Sequence, residues 1–166
     1  GGAIKTFLYC MEHSGAVGMV TAPTFRMLED ATLRTLMKVI PASLYDYHKG
    51  EMRIEFKNGS EVLLRSTDDP ERLRGPNLAF VWMDEAALSP VAAFKILQGR
   101  IRLPGYPHQL WITTTPKGFN WIFQEFASEP RYGYSMHTWP TYANPYLPDE
   151  FAKQLRSDYP GNFGLQ

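Results

Sequence analysis

Two adjacent carboxylates, Asp84 and Glu85, follow an unbroken apolar run from Ala79 to Met83. A short run of this kind is typical of a central strand in a parallel sheet that is covered on both faces. Open α/β sheets bind ligands at the carboxyl ends of such strands. In nucleotide hydrolysis one carboxylate can hold Mg²⁺ while its neighbour activates the attacking water. The alternative is an acidic loop that simply follows a strand.

The first six residues, Gly1-Gly2-Ala3-Ile4-Lys5-Thr6, contain a second candidate for phosphate chemistry. In a phosphate-binding loop, backbone N–H groups and a Lys contact phosphates, and a Thr hydroxyl binds Mg²⁺. The spacing here is shorter than Gly-x-x-x-x-Gly-Lys-Thr, because only Ala3 and Ile4 separate Gly2 from Lys5. One hypothesis is that three residues are missing between Ile4 and Lys5. The alternative is a glycine-rich segment in which Lys-Thr occurs by chance.

Two arginines, Arg72 and Arg74, lie in a charged loop ahead of the acidic strand. Close to a nucleotide site they could clamp phosphates or reach the nucleotide of a neighbouring subunit. They could equally pair with Asp68, Asp69 or Glu71 in a solvated loop.

Three consecutive threonines, Thr113, Thr114 and Thr115, end another strand-like segment. Their hydroxyls could sense a terminal phosphate or its hydrolytic water. They could also be ordinary β-branched residues of a strand.

Strand and helix patterns alternate along the chain, which indicates a layered α/β sheet. Asn58-Gly59 between two strand-like runs predicts a β-hairpin at the sheet edge. Ser89 is predicted to cap a helix whose first residue is Pro90. The predicted strands are 15–22, 52–56, 61–65, 79–83, 109–115 and 132–139, and the predicted helices are 26–39, 90–99, 120–127 and 149–159.

Composition limits the class of protein. The chain has 166 residues, 44% of them apolar, and a formal net charge of zero. Any contact with nucleic acid must therefore come from a local patch or from an assembly. The single cysteine, Cys10, excludes an internal disulfide and is expected to be a buried core thiol. No apolar run reaches membrane-spanning length, and the four histidines show no metal-ligand spacing.

Several segments occur in an order that resembles a known family, the ATPase domain of the large terminase subunit of tailed bacteriophages. The resemblance covers nearly the whole chain. After Lys5-Thr6, it rests on the segments 21–24, 73–77, 84–86, 113–118 and 144–148. It implies an α/β P-loop NTPase fold of the RecA/ASCE-like kind. This fold is a three-layer sandwich with a mainly parallel central sheet and an antiparallel edge hairpin.

The resemblance also implies roles for individual residues. Gly2, Lys5 and Thr6 would bind the nucleotide, and Thr6 and Asp84 would hold Mg²⁺. Glu85 would be the catalytic base. The threonines 113–115 would couple hydrolysis of ATP to movement of DNA. Arg74, or less plausibly Arg72, would be an arginine finger that acts on an adjacent subunit of a ring.

The family further implies partners and a location. These are double-stranded DNA, a portal protein, a small terminase subunit and other copies of the chain, at the procapsid portal in the host cytoplasm and without a membrane. The expectation is that residues 1–166 form one ATPase domain without its first strand, and that the family's nuclease domain is not part of this sequence. A helicase-like ATPase and a P-loop module that no longer hydrolyses nucleotide are the alternatives.

Overall fold

The fold is described from a computed structural model. The structure describes residues 1–115, 117–128 and 132–139, together with the single positions 148, 150, 153 and 157. The chain divides into two compact units, residues 1–114 and 115–166, which are described separately below.

The first unit is built on a six-stranded sheet with the order β2-β3-β4-β1-β5-β6. Strands β4, β1, β5 and β6 are parallel, whereas β2, β3 and β4 pair in antiparallel fashion at one edge. This arrangement confirms the predicted parallel centre and the antiparallel hairpin. The strands are β1 Val17–Ala22, β2 Tyr45–His48, β3 Arg53–Phe56, β4 Glu61–Ser66, β5 Phe80–Asp84 and β6 Gln109–Thr113.

Helices connect the strands. A helical segment runs without interruption between β1 and β2, as predicted, but its middle, Leu28–Leu33, is π-helical. Shorter 3₁₀ helices cover Ala42–Leu44, Pro70–Leu73 and Ala86–Leu88. The α-helices are α1 Gly2–Glu12, α2 Phe25–Met27, α3 Arg34–Val39 and α4 Val91–Arg100.

Strand β5 is buried on both faces because its side chains alternate between two cores. Phe80 and Trp82 join the cluster that also contains the buried residues of α1 and α3. The Phe80 ring stacks on Trp111 of β6, with the ring centroids 5.2 Å apart. Gly18 of β1 leaves room for this ring, since a Cβ there would lie 2.1 Å from Phe80.

The opposite face of the sheet carries a second core. Val81 and Met83 of β5 are fully buried there, and so are Phe94 and Leu97 of α4. Helices on both sides of a mostly parallel sheet give the predicted three-layer sandwich.

Two expectations about individual residues have opposite outcomes. Cys10 is a buried free thiol, and burial raises its pKa to about 12, so the prediction of a core cysteine is confirmed. The capping role of Ser89 is wrong, because the residue preceding α4 is Pro90. The Ser89 hydroxyl instead accepts a 2.7 Å hydrogen bond from Thr67.

In the second unit the predicted helix 120–127 is confirmed, and its Phe123–Ala127 portion is π-helical. The predicted strand 132–139 is wrong. These residues form no strand, and Tyr132 and Trp139 are largely exposed, because an alternating pattern without a pairing partner does not make a sheet. The predicted helix 149–159 lies mostly outside the described residues, and Asn144 to Leu147 of the family pattern are outside them too.

Within the part of the chain that the structure describes, no helix is long and apolar enough to cross a membrane.

Candidate active site at the carboxyl end of β5

Asp84 is the last residue of β5, and two threonines hold its carboxylate. The hydroxyl of Thr113, its register partner in β6, donates to Oδ1 over 2.7 Å. The hydroxyl of Thr32, in the π-helical segment, donates to Oδ2 over 2.7 Å. Both carboxylate oxygens are therefore fixed by groups from other elements, and the carboxylate plane is defined before any ligand binds.

A second hydrogen bond extends this network into the core. The Trp82 indole donates from Nε1 to the Thr113 hydroxyl over 2.7 Å. Because the hydroxyl accepts from Trp82, it donates its own proton to Asp84. The tryptophan side chain thus packs in the core with its ring and orients the acidic site with its N–H group.

Glu85 follows at once in a left-handed backbone conformation, with φ 47° and ψ 43°. This conformation is uncommon for a residue other than glycine, and such strain concentrates at functional sites. The Thr114 hydroxyl lies 3.5 Å from Glu85 Oε1 and accepts a 3.0 Å bond from the Ala87 N–H. Two of the three predicted coupling threonines therefore contact the predicted metal ligand, Asp84, and the predicted catalytic base, Glu85.

The amino end of α1 lies directly against this network. A Cβ on Gly2 would fall 2.1–2.5 Å from the Trp82 indole, and one on Gly1 would fall 3.8 Å from the Thr113 methyl. Only glycine allows so close an approach at position 2. The first turn of α1 directs its unpaired N–H groups and the positive end of its dipole toward the edge where anions bind in α/β proteins.

Lys5 and Thr6 lie in the first two turns of α1, and the absence of three residues between Ile4 and Lys5 stays a hypothesis. The Lys5 N–H donates to the Gly1 carbonyl over 3.1 Å, so the helix is continuous across that position. The Lys5 amine lies 4.8 Å from the centre of the Trp111 ring, a cation–π contact. Thr6 is fully buried, and its hydroxyl donates to the Gly2 carbonyl over 2.9 Å.

The arginine loop has the alternative form that the sequence left open. Arg74 makes two hydrogen bonds to Glu71, at 2.7 and 3.2 Å, and Arg72 pairs with Asp69 at 3.1 Å. The Arg74 guanidinium holds the pKa of the Glu71 carboxyl below its ordinary value. All four side chains are exposed.

This loop also leads away from the acidic site. The two residues after Arg74, Gly75 and Pro76, accept hydrogen bonds through their carbonyls from Arg100, at the last turn of α4. The chain then enters β5 at its amino end, whereas Asp84 ends that strand. Strand β5 alone separates the two ends by roughly 13 Å. Arg74 therefore does not reach the acidic site of its own subunit.

The donor chemistry around Asp84 fits a hard cation. Among the described residues no group of three or more His, Cys, Asp or Glu side chains could hold a metal ion. Mg²⁺ does not require one, since it is usually bound by one or two protein oxygens, with substrate phosphates and water completing its shell. Asp84 offers that single oriented carboxylate.

Sequence reasoning missed Thr32 and the polar role of Trp82. Thr32 is separated from Asp84 by 52 positions, and no local spacing links them. The apolar run identifies Trp82 only as a core residue. Thr115, the third predicted coupling residue, is exposed and begins the second unit, so the first unit contributes only Thr113 and Thr114 to the site.

Comparisons with known proteins agree with this architecture. A family model described as phage terminase large subunit matches residues 31–163. The large terminase subunit of Thermus phage G20c is 39% identical over an alignment of 146 residues, which covers 75% of this chain and 30% of that protein. The chain spans less than a third of the length of the curated relatives it matches.

Solved structures define the class of fold. A large terminase from a thermophilic bacteriophage, in complex with ADP, has a TM-score of 0.81 at 17% identity, covering 97% of this chain and 42% of that chain. The large terminase ATPase domain of Thermus phage P74-26 has a TM-score of 0.64 at 20% identity, covering 96% and 75%. The first of these is a large terminase and the second a large terminase ATPase domain, so the chain has the fold that these proteins share.

The family follows from the match over most of the sequence: the chain belongs to the phage terminase large subunit family. The matched residues begin at 31 and leave out Lys5 and Thr6, so this match concerns the acidic site and not the amino-terminal segment.

Proposed function

We propose that this chain is an ATP-hydrolysing motor unit that drives double-stranded DNA into a viral procapsid. The observation that carries the proposal is the acidic pair at the end of β5, where Asp84 is held at both oxygens and Glu85 is held in a strained conformation beside it. Membership of the phage terminase large subunit family and the ADP complex of the thermophilic phage relative support nucleotide as the ligand.

The two carboxylates have different roles in this proposal. Asp84 would hold Mg²⁺ through its carboxylate, which Thr32 orients at Oδ2 and which Thr113 and the Glu85 N–H orient at Oδ1. The ion would neutralise phosphate charge during transfer to water. Glu85 accepts a proton from the attacking water, or orients that water, with the Thr114 hydroxyl beside its Oε1 atom.

The amino end of α1 would bind the phosphates. Gly2 gives backbone access there, Lys5 would turn from the Trp111 ring toward the outer phosphates, and the Thr6 hydroxyl would rotate from the Gly2 carbonyl toward Mg²⁺. In a Gly-x-x-x-x-Gly-Lys-Thr loop the first glycine lies six positions before the lysine. Counted back from Lys5, that position falls ahead of Gly1. A complete loop would thus require residues that precede this sequence.

Coupling would pass through β6. Thr113 and Thr114 contact Asp84 and Glu85 respectively, so a change in either carboxylate during hydrolysis alters a hydrogen bond to β6. Thr115 is the next residue in the sequence and would carry the change onward to the movement of DNA.

Arg74 would act in trans. Its guanidinium pairs with Glu71 ahead of the amino end of β5, so a finger role requires a second subunit whose nucleotide replaces Glu71 as its partner. The proposal includes a homo-oligomeric ring, a portal protein and a small terminase subunit as partners. The motor would work at the procapsid portal in the host cytoplasm, and any nuclease activity belongs to a separate domain.

The test is ATP hydrolysis by the full-length protein and its Glu85→Gln variant. The substitution removes the base but keeps the side-chain size, so hydrolysis should fall by roughly 10²–10⁴-fold while binding of Mg²⁺ and nucleotide persists. Glu12→Gln, at an exposed position at the end of α1, is the matched control and should leave the rate unchanged. Equal rates for all three proteins would reject Glu85 as the base.

A nucleotide-binding module without hydrolysis is the second candidate. Two observations favour it, namely Ile4 at the position where the phosphate loop has glycine and the contact of Lys5 with Trp111. Wild-type protein that binds ATP but never releases phosphate, even with DNA and partner proteins present, would identify this alternative. ATP-dependent strand separation would instead identify a helicase-like ATPase.

A further inference from the structure

Three threonines lie in helical segments of the first unit, and one of them behaves differently. The hydroxyls of Thr6 and Thr35 donate to the carbonyl four residues earlier in their own helix, at 2.9 and 2.8 Å. This is the usual bond of a helical threonine. Thr32 instead donates its single hydroxyl proton to Asp84 Oδ2, across to the end of β5.

The local backbone explains this difference. Thr32 lies in the π-helical stretch between α2 and α3, where one extra residue per turn rotates the following side chains relative to an α-helix. Leu28 and Leu33, which bound this stretch, are both buried in the core. Thr32 itself is 2% exposed, so a packed element presents its hydroxyl to the acidic site.

The geometry points to Thr32 as a positioning residue for Asp84, and this inference rests on the proposed function. The bonds from the Thr113 hydroxyl, at 2.7 Å, and from the Glu85 N–H, at 3.2 Å, both reach Oδ1 and therefore hold only one of the two oxygens. The Thr32 bond fixes the second oxygen, so the lone pairs that would face Mg²⁺ keep one direction. The helical segment between β1 and β2 thereby becomes part of the metal site without contacting the ion.

The test compares three variants of the full-length protein. Thr32→Val keeps the branched shape and removes the hydroxyl, Thr32→Ser keeps the hydroxyl, and Thr35→Val removes the hydroxyl of the neighbouring helical threonine. The readout is the Mg²⁺ concentration that gives half-maximal binding of a fluorescent ADP analogue. Nucleotide binding in EDTA serves as the reference for each protein.

We expect Thr32→Val to raise that Mg²⁺ concentration by about tenfold or more, the loss expected for one hydrogen bond to a charged group. Binding in EDTA should not change. Thr32→Ser should restore a value within about twofold of wild type, and Thr35→Val should match wild type, because its bond stays within its own helix.

A second readout needs no ligand. Unfolding equilibria of Thr32→Val, Asp84→Asn and the double variant form a cycle that measures the bond itself. The change in the unfolding equilibrium constant of the double variant should differ by about fivefold or more from the product of the changes in the two single variants. Thr32→Ala, which also removes volume, separates lost packing from the lost hydroxyl if the valine variant folds poorly.

Each outcome distinguishes this inference from the proposed function. An unchanged Mg²⁺ requirement in Thr32→Val, with wild type still Mg²⁺-dependent, overturns the positioning role and leaves the proposed function intact. Equal shifts in Thr32→Val and Thr35→Val also overturn it, because they would indicate a general effect on the helix. A wild-type protein that shows no Mg²⁺-dependent nucleotide binding overturns both, whatever the unfolding cycle reports.

Discussion

The acidic end of β5 and the arginine loop ahead of that strand are two charged regions of the same unit, and they are built differently. The side-chain hydrogen bonds that Asp84 accepts come from Thr32 and Thr113, which lie on two other elements, and its Oδ1 also accepts from the Glu85 N–H. Arg74 and Glu71 are three residues apart in one turn, with 59% and 71% of their side-chain surfaces exposed. The first region depends on the tertiary fold, whereas the second depends on local sequence.

This contrast has a functional meaning. Groups fixed by buried hydrogen bonds need little reorganisation when charge develops in a reaction. Such rigidity suits carboxylates that would act within their own subunit. Exposed ion pairs are worth little and exchange partners easily. A guanidinium held by such a pair can leave Glu71 when a stronger anion approaches, which suits a residue that acts on a neighbouring subunit.

The largest expected effect tests the exchangeable role of the loop. Arg74→Ala should lower ATP hydrolysis per subunit of the assembled protein by about 10³-fold, the lower range for an arginine finger. Nucleotide binding should persist. The measurement is the rate of phosphate release as a function of protein concentration. This rate should rise more steeply than the concentration for wild type and in proportion to the concentration for the variant.

Arg72→Ala is the matched control, since Arg72 has the same kind of exposed partner one turn away. A larger loss in Arg72→Ala would assign the finger to Arg72. If the wild-type rate of phosphate release is simply proportional to protein concentration, and neither substitution changes it, then neither arginine acts in trans.

The second prediction concerns the rigidity of the acidic end. Gly2→Ala places a methyl group against the Trp82 indole and should lower the free energy of unfolding by about 1–3 kcal/mol, because the core is overpacked there. Gly99→Ala, where the structure shows no atom within 4 Å of the new group, should raise it by about 0.4–1 kcal/mol. Urea denaturation of both variants provides the comparison, and a neutral Gly2→Ala would show that the α1 terminus is not packed on Trp82.

The smallest effect is expected for Glu71→Gln. Because Arg74 lowers the pKa of Glu71, the pair stabilises the folded state above the ordinary carboxyl pKa, and this stabilisation is lost as the pH falls through the lowered value. The exposed pair is screened by solvent. Unfolding midpoints of wild type and variant should therefore differ only slightly at neutral pH and converge in acid, and about 1 M salt should remove the difference at neutral pH. A large drop at neutral pH would place this loop in the same structural class as the acidic end.

The features predicted correctly from sequence are those whose signals are local. The apolar run into Asp84-Glu85 predicts both the strand and the position of its acidic end. Asn58-Gly59 predicts the hairpin, and Gly59 indeed adopts φ +83°. Each depends on a few neighbouring residues and the preferences of their backbone.

The features that were missed depend on contacts between distant segments. Strand β2, Tyr45–His48, is a short, partly exposed edge that forms by pairing with β3. The bond from Thr32 to Asp84 joins two segments that only the fold brings together. The orientation of Lys5 depends on a ring in β6, and the pairing of Arg74 with Glu71 was one of two alternatives that sequence could not separate.

The left-handed backbone of Glu85 places stability and catalysis in opposition at a single position. A glutamate in this conformation costs of order 1 kcal/mol or more that glycine would not, so Glu85→Gly should relieve strain while it deletes the proposed base. A library of variants selected only for heat resistance would thus enrich glycine at position 85 and lose its activity unnoticed. If the proposed function holds, directed evolution of this protein toward greater thermal stability would require selection for ATP turnover in every round.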